Sequence, residues 1–290
     1  SLPGIIASVS AALADRPVLA AANAVGGIAV QTAFLAVADL FYRRANLEHD
    51  AAAIGNIVQG ALLLLVLTVP LIAALCPIGA AWRVHPGTVV LTLVYLGGLH
   101  LVRRSGQRPM WLPRGGSVET ADAPGSDRLA TVPGGAVFAL TTGCAGAVAA
   151  AGWLLTAGAG AVADRLALDT ASVGAFGIAV VTSTPELVTT VAAVRRGAVS
   201  IAIGGVMGGN AFDVLFLAAA DVAYPAGSIY HHASDEVWFQ LALACAMVAL
   251  LVLGLALRQR RGPGNIGFES VAVLLVYLAG AAVMLGWPEG

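Results

Sequence analysis

Residues 182–190 read TSTPELVTT, inside a stretch otherwise suited to a lipid bilayer, with SVGAFGIAVV before it and VAAV after it. Glu186 falls about two-thirds along this apolar run, and Asp213 falls near the middle of the next one, in GGVMGGNAFDVLF. An ionisable side chain at that depth costs a few kcal/mol or more, and it usually faces a bundle interior or a water-filled cavity. Pro185 removes a backbone donor, so the sequence predicts an opened helix that frees the carbonyls of Val181 and Thr182. Thr182, Ser183 and Thr184 add hydroxyls. Carboxylate, hydroxyl and carbonyl oxygens are hard ligands, suited to Na⁺, Ca²⁺ or a proton rather than to soft metals. Gly204, Gly205, Gly208 and Gly209 let neighbouring backbones approach closely.

Other polar residues carry weaker signals. Asp39 and Asp221 lie near span ends, where interfacial or helix-capping roles are expected. His231 and His232, followed by Asp235 and Glu236, read as a solvated loop before they read as a metal site. GGVMGGN lacks the Lys-Ser/Thr ending of a phosphate loop. Cys76, Cys144 and Cys245 show no paired spacing and read as small packing residues.

The elements that must position these groups are membrane spans. Hydrophobic residues make up 59% of the 290-residue chain, charged residues 11%, and mean hydropathy is +0.87. Soluble domains carry about 25% charged residues. Apolar runs of roughly 18–30 residues suffice to cross a bilayer core as helix. The reading is an all-α, polytopic membrane protein whose partners are the lipid bilayer and its transported ions, with no nucleic acid. The expected spans are a partial segment at about 2–14, then about 17–42, 51–76, 88–102, 133–163, 171–194, 198–224, 237–257 and 267–286. Residues 103–132, rich in Pro, Gly and charge, form a linker. Threading the spans places about twelve arginines on one face, Arg43, Arg44, Arg103, Arg104, Arg195, Arg196 and Arg258 among them, and only Arg16, Arg83 and Arg165 on the other. The arginine-rich face is expected to be cytoplasmic, with the linker there and the C-terminus outside. The chain lacks lysine, and its Ala- and Gly-rich composition points to a bacterial inner or plasma membrane.

The chain also repeats itself. Residues 1–42 laid over 183–224 without a gap share about 14 of 42 positions, including Pro3 with Pro185, Gly26-Gly27 with Gly208-Gly209, and Asp39 with Asp221. The span order makes the two copies inverted, an architecture of secondary transporters with a site near the midplane. The expected units are 1–102, a first repeat lacking its N-terminal part, the linker at 103–132, and a second repeat at 133–290.

These residues resemble the sodium/calcium exchanger family of the cation/calcium antiporter superfamily. Its two inverted repeats each carry Ser-x-Pro-Glu on a broken helix and Gly-Ser-Asn-x-Phe-Asn/Asp on the next. TSTPEL supplies Thr182, Ser183 and Glu186, and GGNAFD supplies Gly209, Asn210 and Asp213. The resemblance implies two five-helix repeats, with the first helix and part of the second missing from this chain. It implies a metal-ion site of Glu186, Asp213, Thr182, Ser183, Asn210 and Gln31, no cofactor, and transient binding of Ca²⁺, Na⁺ or H⁺. The first repeat departs from the pattern, with Gly4 in place of Glu and Ile28 and Gln31 in place of Asn and Asn/Asp, while Gly27 and Gly209 stand where Ser is usual. The expected function is secondary active cation antiport of the sodium/calcium exchanger type. The alternatives are a monovalent cation/proton antiporter or a non-transporting sensor or scaffold. An enzyme is not expected, since an intramembrane aspartyl site would need a Gly-x-Gly-Asp motif that is missing.

Overall fold

In the computed structural model, residues 2–42, 46–76, 83–107, 134–166, 168–259 and 266–287 are described. Among them every regular element is helical. The order is α1 (Leu2–Leu13), α2 (Pro17–Asp39), α3 (Leu47–Asp50), α4 (Ile54–Leu75), α5 (Pro86–Gln107), α6 (Gly134–Leu166), α7 (Thr170–Ser172), a π-helical turn (Val173–Ile178), α8 (Ala179–Arg195), α9 (Val199–Asp213), α10 (Leu215–Ala223), α11 (Asp235–Leu257) and α12 (Phe268–Leu285). Eight stretches are long and apolar enough to cross a membrane, α9 and α10 together making one of them, and the short α1 is also apolar. Each expected span is present. The expected linker begins later, because α5 runs on to Gln107, and residues 108–133 lie outside the described residues.

Helix α2 is the hub. Between Arg16 and Asp39 it carries no charged side chain. Such a helix can be buried all round, and nearly all of it is, against α1, α8, α9, α11, α12 and the π turn. The π turn lies especially close. A Cβ at Gly26 would sit 2.7 Å from the Ala175 backbone, so only glycine permits this approach. Helix α6 is its opposite: most of its surface faces outward, and its buried positions are Gly152, Thr156, Gly160 and Ala163. This stripe of small residues lies against α1, where the Thr156 hydroxyl reaches the Ala7 carbonyl at 3.5 Å. Small residues at such a seam let two membrane helices meet closely.

The sequence repeat continues through the structure at the same offset. Helix α2 starts at 17 and α9 at 199, α3 at 47 and a short 3₁₀ turn at 229, α5 at 86 and α12 at 268. Hydrogen bonds keep the offset too. Asp39 accepts from the backbone N–H of Leu47 (2.9 Å) and of Gly267 (3.0 Å). Asp221 accepts from Ile229 (2.9 Å) and His85 (2.8 Å), the corresponding positions. Each aspartate therefore satisfies helix-start N–H groups that have no partner inside their own helix, one in its own half of the chain and one in the other. Both are fully buried, so they cap helix starts across the seam between the halves.

Candidate cation site

Three helices bring the polar residues together. On α2, Asn23, Gly27 and Gln31 follow at four-residue intervals, which places them on one helical face. Helix α9 ends at Asp213, and the chain turns at Val214 before α10 resumes. Helix α8 carries Thr182 and Ser183, both buried, and Glu186, which is partly exposed. The expected opening at Pro185 does not occur: α8 runs unbroken through it, and the irregular backbone is the π turn two turns upstream. Val181 is 55% exposed, lines an outer groove with Leu154 and Leu155, and is not among the residues lining the cavity that the three helices border. A π-bulge absorbs one extra residue in a helix and is a recurrent device at functional sites.

These three faces, with Gly4 of α1 and Phe216 of α10, border a small cavity lined also by Asn23, Ala24, Gly27, Gln31, Thr182, Ser183, Glu186 and Asp213. Its volume, about 10 Å³, admits one water-sized sphere. Gln31 joins the helices: its amide nitrogen donates to Asp213 Oδ2 at 2.7 Å and to Ser183 Oγ at 3.4 Å. Gln31 Oε1 is buried and accepts no hydrogen bond from the described residues. Asn23 Nδ2 donates to the Gly4 carbonyl (3.0 Å) and to Ser8 Oγ (2.8 Å), and Thr182 Oγ1 donates to Asn23 Oδ1 (3.4 Å). Among the described residues the lining holds two carboxylates and no cationic side chain. Glu186 also borders a groove of about 190 Å³ that runs between α8 and α9 past Thr190 and Ala193. It thus borders both the cavity and the groove.

Five of the six expected site residues, Gln31, Thr182, Ser183, Glu186 and Asp213, line this cavity. Asn210 does not. Its amide nitrogen donates to Thr32 Oγ1 at 3.0 Å and to the Ile28 carbonyl at 3.4 Å, so it fastens α9 to α2. Asn23 is the residue the sequence reading missed, although an amide one and two helical steps of four from Gly27 and Gln31 was a readable signal. Phe216 was missed as well. At the other candidate, His232 Nδ1 pairs with the Ser228 carbonyl at 2.7 Å and His231 packs edge-on to His85. Burial and the neighbouring imidazoles of His85 and His232 hold the His231 pKa below its usual range. Among the described residues no group of three or more His, Cys, Asp or Glu is placed to hold a metal ion.

The sequence profile of the family described as sodium/calcium exchanger protein matches residues 135–286, just over half of the chain. The chain belongs to the sodium/calcium exchanger family. It is also similar to the inner membrane protein YrbG of Escherichia coli (strain K12), with 30% identity over 127 residues, 43% of this chain and 37% of that protein. The match therefore spans little more than a third of that relative. Among solved structures, the fold is similar to the H⁺/Ca²⁺ exchanger CAX (TM-score 0.63, 16% identity, 98% of this chain and 74% of that one). It is also similar to the sodium-calcium exchanger NCX_Mj (TM-score 0.56, 20% identity, 97% and 82%). The protein is an integral membrane member of this exchanger family.

Proposed function

We propose that the chain is a secondary active antiporter of the sodium/calcium exchanger type whose transported cation binds transiently between Glu186 and Asp213. The observation that carries this reading is the cavity itself. Two carboxylates, two hydroxyls and the Gln31 amide, drawn from three helices, line a space the size of one water molecule. Burying carboxylates in a membrane bundle is unfavourable, and a cation in this space compensates that cost.

Alternating access fits one further feature. Glu186 borders both the cavity and the groove between α8 and α9, so a small movement at this residue exchanges one exposure for the other. The small residues of α6 keep it closely packed on α1, and the Arg16–Asp164 ion pair ties one end of that seam. On the positive-inside reading, the groove leads toward the cytoplasmic face that carries Arg195 and Arg196, the linker is cytoplasmic, and the C-terminus lies outside. The membrane is a bacterial inner membrane on this reading, and residues 1–102 and 133–290 act as the two inverted repeats.

The test is exchange in proteoliposomes. Wild-type protein should drive cation uptake against an imposed gradient, and E186Q should reduce that uptake to the rate of empty vesicles. Uptake by E186Q equal to wild type would overturn the assignment.

A further inference from the structure

The internal repeat places Gly4 at the position Glu186 holds in the second copy, so one of two matching carboxylates is missing. The structure shows what stands in its place. A Cβ built on Gly4 would lie 2.7 Å from Phe216 Cε2, with Cδ2 at 3.5 Å and Cζ at 3.6 Å. The edge of the ring therefore presses on the Gly4 α-carbon and takes the volume of any side chain there. Phe216 is 3% exposed, and Phe212 packs edge-to-face against it with ring centroids 5.9 Å apart. The ring is a wall of the cavity. The one backbone oxygen that α1 brings to the lining, the Gly4 carbonyl, is already taken by Asn23 Nδ2.

Ligands consequently come from one side. Glu186, Ser183 and Thr182 on α8, Asp213 on α9 and Gln31 on α2 supply oxygens, while the side formed by α1 and α10 supplies a glycine and an aromatic ring edge. A Ca²⁺ ion takes six to eight oxygens at about 2.3–2.6 Å, distributed around it, and its affinity follows the number of charged ligands. With a glycine and a ring edge where the second copy has Glu186, the site offers a divalent ion one charged ligand fewer, which weakens Ca²⁺ more than a singly charged ion. Exchange balances at this carboxylate pair when one monovalent cation and one proton occupy it in turn, which leaves the charge of the site the same on both half-cycles.

We infer that Phe216 is the specificity determinant of this site, and that the site takes one monovalent cation of the Na⁺ class, exchanged for a proton, and excludes Ca²⁺. This rests on the Glu186–Asp213 site proposed above. Radiolabelled Na⁺ and Ca²⁺ uptake by the purified protein in proteoliposomes, driven by an outward proton gradient, tests it. Wild type should take up Na⁺, and equal Ca²⁺ should not compete. The double variant G4E/F216A, which restores a carboxylate and the space for it, should raise Ca²⁺ uptake or Ca²⁺ competition about tenfold, a factor worth about 1.4 kcal/mol. If that variant does not fold, the wild-type competition result decides alone. Saturable Ca²⁺ uptake by wild type that E186Q abolishes would overturn the inference and leave the site in place. Equal flux from wild type and E186Q for both ions would overturn the site, and the inference with it.

Discussion

Asn23 donates from one amide nitrogen to two acceptors, the Gly4 carbonyl and Ser8 Oγ, and accepts from Thr182. It thereby ties α1, α2 and α8 together at the cavity wall. Removing the amide takes a buried donor from Ser8 Oγ and from the Gly4 carbonyl, and an unsatisfied buried polar group costs about 1–3 kcal/mol. Asn23→Ala should lower the unfolding free energy in detergent by that amount and weaken cation binding, both measurable by thermal unfolding with and without the cation. At this scale the sequence was informative where polar residues interrupt an apolar run: Gln31, Ser183, Glu186 and Asp213 converge as their types suggested. Asn210 shows the limit, since a polar residue one turn from Asp213 points to a different neighbour, Thr32. Phe216 was invisible for a different reason. An aromatic in an apolar helix is normally core, and only the contact with Gly4 reveals what it displaces.

Among the elements, short α3 makes the least obvious contribution. Glu48 on it is fully buried, facing Asp39 of α2 and Glu269 of α12, with Ser270 Oγ donating to its carboxylate at 3.4 Å. His49 Nδ1 pairs with the Arg258 carbonyl at 2.8 Å beside it. Burial, then the charges of Asp39 and Glu269, push the Glu48 pKa well above its ordinary value of 4.5. The folded state therefore holds the proton more tightly than the unfolded chain does. The stability this contributes is full below the ordinary glutamate value and is lost as pH rises through the raised folded value. Glu48→Gln should flatten that dependence and raise the melting temperature at neutral pH, as a thermal unfolding series from acidic to neutral pH would show. An unchanged pH profile would mean that Glu48 stays ionised. Span positions were legible because apolar runs of membrane length have few other uses. The π turn was not: Pro185 drew attention to itself, but α8 accommodates it, and the irregularity falls at Val173–Ile178, where no residue type announces it.

Across the whole molecule, the repeat visible in residues 1–42 and 183–224 continues at the same offset to α5 and α12, where the sequences no longer match by eye. What persists is the placement of helix starts and of the Asp39 and Asp221 caps, because both depend on backbone donors rather than on side-chain identity. The two halves have diverged most at the cavity, where Gly4 and Gln31 stand opposite Glu186 and Asp213. A cation held between those two acids should stabilise the folded protein. At a concentration of 100 times Kd the gain is about 2.7 kcal/mol. The most direct test is a titration of purified protein with Na⁺ and with Ca²⁺, followed by calorimetry and thermal unfolding, for wild type, E186Q and D213N. The account predicts saturable cation binding and stabilisation in wild type, and neither in E186Q nor in D213N. Cation binding of equal strength in both variants would contradict it.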